Sequence, residues 1–378
     1  MTCLRRSAVL FALVTAGVAA QPSPRVVVEA GAVSQTYSTG DERSVSEVVV
    51  PISAAAEVVP GLSVGVQAVY ATVSGDGLES LSGLGDTQLS VGYRRPLGAA
   101  IVDLLVASSL PTGQTALTVE QFATSAALAV DDFAFALPTL GQGAVVSPGI
   151  ALAVPAGEGM AAGFGAAYSA RSAYTLFAGD TSAYAPANEV ILTAGVDASI
   201  GGASSFRLEG SYVLYGDDGY RGQTFSPGDR AVVTMLADLA GRYVRSQILA
   251  RYRHVFDGAI GEEAPRPVAY LRPSQAKVAV SLGFGPETAE VALSAGARYY
   301  GTGVGFYGSD SGEDIIRTAP AALAEQQVLV DLGVAPRFAV GANALVRGSF
   351  VYTLGVAEAI GAPPLTGYRV GASVRVGF

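Results

Sequence analysis

The chain has 378 residues, half of them apolar, with 23 Lys+Arg against 32 Asp+Glu and a net charge of −9. That acidic balance argues against a polyanionic partner, so nucleic acid is set aside. One cysteine and one histidine, Cys3 and His254, leave no material for a disulfide framework or for a His-based metal centre without other ligands, and no cofactor motif is present.

In chain order, Met1–Arg6 carries Arg5 and Arg6, Ser7–Ala20 is apolar, and Val18-Ala19-Ala20 precedes Gln21 as a small-residue cleavage site. The run falls short of the roughly 20 apolar residues that a spanning helix needs. Residues 1–20 are therefore expected to be a cleaved signal peptide, and residues 21–378 one outer-membrane β-barrel. Cleavage takes Cys3, Arg5 and Arg6 away, so 23 Lys+Arg become 21 against 32 Asp+Glu, a net −11. Beyond residue 21 charges and glycines interrupt every apolar run. High hydropathy without a continuous stretch is what alternating lipid-facing and lumen-facing residues give.

Sixteen segments read as strands: 25–37, 44–57, 61–73, 85–97, 99–110, 143–155, 159–171, 188–200, 204–215, 229–241, 243–256, 274–284, 288–301, 326–338, 340–353 and 366–378. Tight turns at or around 59–60, 97–98, 156–158, 201–203, 241–242, 285–287 and 339 alternate with long links near 38–43, 74–84, 111–142, 172–187, 216–228, 257–273, 302–325 and 354–365. Short turns on one rim and long loops on the other are the asymmetry of outer-membrane barrels, and an even strand count puts both termini in the periplasm. Ala and Gly blur the period in 44–57 and 143–171, which leaves 12 or 14 strands as alternatives. Within the link 111–142, Thr118–Val130 reads as a short helix. It either folds inward and narrows a pore or caps the barrel outside. The link 302–325 is rich in Gly, Ser and Asp, as a surface loop is.

The alternation is cleanest at the end of the chain. Tyr368, Val370, Ala372, Val374, Val376 and Phe378 share one face, with Arg369, Gly371, Ser373, Arg375 and Gly377 on the other. A strand with lipid on one side and a polar lumen on the other reads this way, and a one-residue slip would put the arginines in lipid. The terminal Phe378 resembles the signal read by the barrel-assembly machinery. The predicted fold is thus all-β, a transmembrane antiparallel up-and-down barrel embedded in outer-membrane lipids. The chain has no Trp, so its 17 Tyr would have to supply the interfacial girdles.

Ser82-Gly-Leu-Gly-Asp-Thr-Gln-Leu-Ser-Val-Gly-Tyr-Arg94, followed by Ser109-Leu-Pro-Thr-Gly113, resembles the outer-membrane family associated with the meta-pathway of phenol degradation, transporters distantly like the fatty-acid and aromatic-hydrocarbon channels. The matching residues are Gly83, Gly85 and Asp86 in the first motif and Pro111 and Gly113 in the second. The resemblance implies a barrel that carries hydrophobic or aromatic compounds. An N-terminal plug with an Asn-Pro-Ala motif, found in the fatty-acid channels, is not evident here. Read from the residues, the glycines permit unusual backbone shapes, Asp86 can accept from nearby amides, and Pro111 ends a strand because it has no N–H.

The predicted lumen face carries Arg94, Arg207, Arg230, Arg245, Arg251, Arg253, Lys277, Arg298, Arg337, Arg347, Arg369 and Arg375, with Glu29, Asp103, Glu189, Asp197, Glu209, Asp238, Glu290 and Asp331. A charge at the lipid midplane costs about 2–4 kcal/mol, which argues for placing these inside. They read either as an electropositive wall guiding anionic solutes, densest at Arg245, Arg251 and Arg253, or as an Arg–acid lattice bracing a filled barrel. The loop acids Asp217, Asp218, Glu262, Glu263, Asp310, Glu313 and Asp314 are oxygen donors of the kind calcium takes, without an EF-hand spacing. His254 is predicted on the lipid-facing wall near the outer rim, but neither the His-x-Ser-Asn-Gly run of barrel phospholipases nor a Gly-x-Ser-x-Gly elbow is present. The expectation is therefore a passive channel for small molecules, hydrophobic, aromatic or anionic, and not an enzyme. The alternative is a structural or adhesive barrel acting through its loops.

Overall fold

The computed structural model describes residues 26–38, 44–129, 133–201, 203–241, 243–256, 258–260, 266–268, 274–286, 288–301, 327–357 and 365–378. The expected signal peptide, the link 302–325 and the loop acids Glu262, Glu263, Asp310, Glu313 and Asp314 lie outside these residues.

Strands β1 Val26–Ser38, β2 Ser44–Val59, β3 Leu62–Gly75, β4 Leu78–Leu84, β5 Thr87–Leu97 and β6 Ala100–Leu110 lead to helix α1, Val119–Leu128. Then come β7 Val145–Gly157, β8 Met160–Arg171, β9 Tyr174–Thr175, β10 Ala183–Tyr184, β11 Glu189–Ser199 and β12 Ser205–Tyr215. They are followed by β13 Asp218–Tyr220, β14 Gln223–Ser226, β15 Arg230–Ala240, β16 Val244–Val255, β17 Gly258–Ile260 and β18 Arg266–Val268. The last five are β19 Ser274–Phe284, β20 Ala289–Tyr300, β21 Gln327–Val340, β22 Ala344–Ala357 and β23 Thr366–Gly377.

Seventeen of these strands form one antiparallel sheet, and β23 returns to pair with β1 along its whole length, which closes it. β4 and β5 both pair with β3 and make a single stave, so the barrel has 16 staves. The amide of Gly85 bonds Val69 O at 2.7 Å across the break between them. Closure removes every sheet edge, so no backbone donor is left facing lipid for want of a neighbouring strand.

Five prolines sit within staves, and three of them face a gap in the ladder. The β1–β2 register passes from Ala30↔Ile52 to Val33↔Val49, skipping Pro51. The β7–β8 register skips Pro148, and the β21–β22 register skips Pro336. A proline has no N–H to give, so one side of each ladder opens there while the other stays paired.

Side chains alternate as a membrane barrel requires. The outward set is apolar and bare, including Ile52, Phe164, Leu332 and Val370, while the inward set holds the charges. Exposed tyrosines gather near the long-link ends of the staves, as Tyr168, Tyr212, Tyr252, Tyr299, Tyr352 and Tyr368 do. Phe164, Phe284, Phe338 and Phe378 lie toward the short-turn rim. The tyrosine girdle is therefore concentrated at one rim, and phenylalanine takes up the other. An amphipathic ring suits an interface, whereas phenylalanine has no hydroxyl to place in water.

Two expectations are corrected. The last hairpin turns at 341–343, where Gly341 has φ +66°, so β21 runs on to Val340 and β22 begins at Ala344 and not at 340. Alternation runs straight through this turn, so the period alone does not mark it. Several links also carry their own structure. β4 occupies most of 74–84, β9 pairs with β10 within 172–187, and β13, β14, β17 and β18 form a four-stranded sheet beyond the barrel.

Candidate functional site

The link between β6 and β7 folds into the barrel mouth at the long-link end. Thr118 caps α1 and accepts from the Gln121 amide, while the Gln121 side chain accepts from the Thr118 amide, a capping box that fixes where the helix starts. The Thr124 hydroxyl donates to Glu79 O at 2.7 Å, tying α1 to β4.

Asp86 holds the base of this link from both sides. Its Oδ1 accepts from the Gly113 amide at 2.9 Å and its Oδ2 from the Gln142 amide at 2.7 Å. The Thr112 hydroxyl donates to Gly85 O at 2.9 Å and accepts from the Thr87 amide at 2.9 Å. Gly113 is required by packing, since a Cβ there would stand 1.9 Å from Leu140 O. Gly85 would bring a Cβ within 3.3 Å of Leu137. Gly83 faces open space, and Pro111 follows the last residue of β6. Four residues of the two motifs, Gly85, Asp86, Thr112 and Gly113, thus form one clasp.

A second clasp is more fully buried. Glu47, on the lumen face of β2, is fully buried, and its two oxygens accept from the amides of Ala136 at 2.8 Å and Leu137 at 3.0 Å. Gln35 of β1 donates to the same carboxylate at 2.5 Å. Around these polar anchors the segment buries Leu128, Phe133 and Phe135 against Tyr37, Val73, Tyr300 and Leu329 on the lumen faces of β1, β3, β20 and β21. Phe135 meets Tyr37 edge-on at 5.4 Å, and Phe133 lies 5.5 Å from each of them. Of the two readings of 111–142, the inward fold is the one observed.

The predicted lumen residues divide into two groups. In the first, arginine meets acid on the neighbouring stave. Arg94 grips Asp103 with two bonds of 2.7 and 3.0 Å, and Arg207 bonds Asp197 at 2.6 Å beside Glu209. Arg298 grips Asp331 with two bonds of 2.9 Å, while the Thr353 hydroxyl adds 2.7 Å to the same carboxylate. Arg171 pairs with Glu189 inside the wall. Toward the short-turn rim Arg337 and Arg347 stand directly opposite each other, with Glu290 at 3.5 Å from the first and Glu29 at 3.6 Å from the second.

The second group is set apart by exposure, and its register neighbours differ, since Arg375 stands opposite Glu29. Arg251 stands directly opposite Lys277, and Lys277 directly opposite Arg298, across β16, β19 and β20. Arg245, Arg251, Lys277, Arg369 and Arg375 are exposed although they face inward, so water reaches them inside the barrel. Arg253 and Arg230 are buried at the rim, and Arg230 lies over the Tyr215 ring at 5.7 Å. The inward segment covers the lumen faces of β1–β4 and β20–β21, while the wall of β15, β16 and β19 below the rim stays open to water.

His254 faces outward on β16, as expected, with Nδ1 2.9 Å from the Ser274 hydroxyl and its ring 4.8 Å from Phe256. Asp218 accepts from the Ala187 amide at 2.6 Å and from the Tyr184 hydroxyl, so it closes the outer links. Nearby, Asp180 accepts from the Tyr220 hydroxyl at 2.5 Å and the Ser182 amide at 2.9 Å, with Arg221 at 3.0 Å. The Tyr220 bond, followed by the Ser182 bond, draws the Asp180 carboxyl down to about 2. Burial, then the bond to Asp180, pushes the Tyr220 hydroxyl up to about 12. Glu47, Gln35, Phe133 and Phe135 were not singled out in the sequence. The one signal was an acid at an inward position of β2, which demands partners once buried.

No protein-family model matches the chain. No curated protein matches it either. Among solved structures it is similar to a bacterial polysaccharide outer membrane secretin, at 8% identity over 92% of this chain and 98% of that one, with a TM-score of 0.43. An anion-selective porin from Comamonas acidovorans matches at 13% identity, 93% and 98% coverage and a TM-score of 0.42. An outer membrane channel from Pseudomonas putida F1 matches at 13% identity, 95% and 97% coverage and a TM-score of 0.38.

Proposed function

We propose that this chain is an integral outer-membrane channel that lets small organic anions diffuse through its lumen. The carrying observation is the water-accessible wall of β16 and β19, where Arg245, Arg251 and Lys277 face inward beside a mouth narrowed by Phe133 and Phe135. Cations lining a confined, low-dielectric passage raise the local concentration of anions and repel cations. In this reading the short turns and both termini lie in the periplasm, the long links lie outside, and the strand ending at Phe378 is presented to the assembly machinery. The family resemblance adds aromatic compounds to the range of solutes, and an aromatic acid satisfies both. The protein is taken to be no enzyme, with His254 a rim residue held between Ser274 and Phe256.

Single-channel recording of the refolded protein in a planar bilayer, under a potassium chloride gradient, tests this. Stable openings with a reversal potential on the chloride side are expected. A barrel that never opens would move the reading to the structural or adhesive alternative, which the aromatic plug at the mouth favours.

A further inference from the structure

Toward the short-turn rim the lumen wall carries a row in which each residue stands directly opposite the next: Glu290 of β20, Arg337 of β21, Arg347 of β22 and Ser373 of β23. Two arginines are therefore neighbours at its centre, on staves about 5 Å apart. Like charges directly opposite one another are destabilising. Elsewhere Arg94 meets Asp103, Arg207 meets Asp197 and Arg298 meets Asp331, all at between 2.6 and 3.0 Å. Here the acids stand off on the flanks. Glu290 leans over Gly283 of β19, where a Cβ would lie 2.9 Å from its carboxyl carbon, and it reaches Arg337 only at 3.5 Å. Glu29 reaches Arg347 at 3.6 Å and accepts from the Ser373 hydroxyl at 3.1 Å. Nε of Arg337 is buried with no hydrogen-bond acceptor, which is costly for a charged donor.

The wall beside this pair is bare of large side chains. Two residues nearer the long-link end, the same face carries Ala335, Ser349 and Gly371, and the β21–β22 ladder is open there at Pro336. Ala335 is exposed and Ser349 half-buried, so solvent reaches the recess. We propose that Arg337 and Arg347 seat one oxyanion, a carboxylate or a phosphate group, in the recess of Ala335, Ser349 and Gly371. Guanidinium forks on adjacent staves match the paired oxygens of such a group, and an anion between them turns their repulsion into attraction. It also gives Nε of Arg337 the acceptor it lacks, with the Ser349 hydroxyl as a further donor. Arg375, exposed and directly opposite Glu29, stands two residues nearer the rim. Three guanidiniums against two carboxylates leave the cluster one positive charge, which suits a single anionic group. The seat goes beyond the channel reading and does not depend on conduction.

Calorimetric titration of the refolded barrel in micelles with phosphate, and separately with acetate, at constant ionic strength tests this. One site per chain is expected, with binding weakened on the order of tenfold in Arg337→Gln and in Arg347→Gln alike. Arg347→Lys keeps the charge and the fold but not the fork, and should weaken binding too, which separates a built seat from a general attraction to cations. Arg94→Gln, whose arginine faces Asp103, should bind as the wild type does. Binding of one anion alone assigns the seat to that group, and displacement of one by the other opens it to both; either result supports the seat. The bound anion should also raise the urea midpoint of the wild type and leave that of Arg347→Gln in place. Binding of neither anion, binding unchanged in both Arg337→Gln and Arg347→Gln, or binding lost equally in Arg94→Gln overturns the seat, whether or not the barrel conducts.

Discussion

At the residue scale the most consequential side chain is Asp86. One carboxylate ties the amide that opens the inward link to the amide that closes it, at Gly113 and Gln142. A hydrogen bond to a charged group contributes about 1.5–3 kcal/mol, and Asp86→Ala removes two at once. The expected result is a loosened link: faster proteolysis within 111–142 and larger, noisier conductance, with the barrel still heat-resistant. Limited digestion of variant and wild type side by side would show it, and identical cleavage rates would mean that Glu47 alone holds the segment. Asp180 gives a pH prediction in the outer links. Its folded value of about 2 lies below its ordinary 3.8, so its contribution is present above about 4 and is lost as pH falls through about 2. Tyr220 runs the other way: its share is present below its ordinary 10.0 and is lost as pH rises through about 12. Carboxyl NMR titration should place the Asp180 midpoint near 2, and a midpoint near 3.8 would show that the Tyr220 contact does not persist in solution. The sequence carried a clue to Asp86, as the polar residue that follows Gly83 and Gly85 in the first motif. It carried none to Asp180, whose partners come from another link.

At the element scale the inward segment is the part that alternation could not supply. Staves follow a period of two, and that period, with glycine at the turns, placed 16 strands to within a few residues. The last hairpin slipped because an alternating pattern continues through Phe338, Val340 and the turn at Gly341. The helix of the inward link was readable from Thr118 and Gln121, which form its capping box. Its direction was not, because a segment of mixed Ala, Phe and Leu serves equally well inside a lumen or over it. The inward course follows from Tyr37, Val73, Tyr300 and Leu329, whose large apolar side chains occupy lumen positions and need cover. Each aromatic pair in this plug adds about 0.5–1.5 kcal/mol beyond its buried area. Replacing Phe133 and Phe135 together by Ala should widen the mouth, raising single-channel conductance roughly two-fold or more as the narrowest section opens. Unchanged conductance would place the limiting constriction elsewhere in the lumen.

At the scale of the whole molecule, the lumen charges stand in two settings, buried against acids or open to water. Arg298 is buried with Asp331 and Thr353, so it braces β20 against β21 and β22. Arg251 faces water with Lys277 opposite, which under the proposed channel reading sets it on the solute path. Sequence alternation placed both on the lumen face and could not separate them, because the difference lies in which stave supplies the facing residue. Arg298→Ala strips Asp331 of its countercharge, and breaking a buried pair by one partner costs about 3–5 kcal/mol. Arg251→Ala, at a water-exposed position, should cost less than this. Ion selectivity should respond in the opposite order. Losing Arg251 removes a charge from the water-filled path and should move the reversal potential toward zero, whereas Arg253→Ala, at a buried rim position, should move it less. Urea unfolding in lipid vesicles and reversal potentials, measured on the same variants, set the two orders against each other. If Arg251→Ala proves the more destabilising and leaves selectivity unchanged, the cation row belongs to the brace, and the barrel is held together by its charges without being tuned by them.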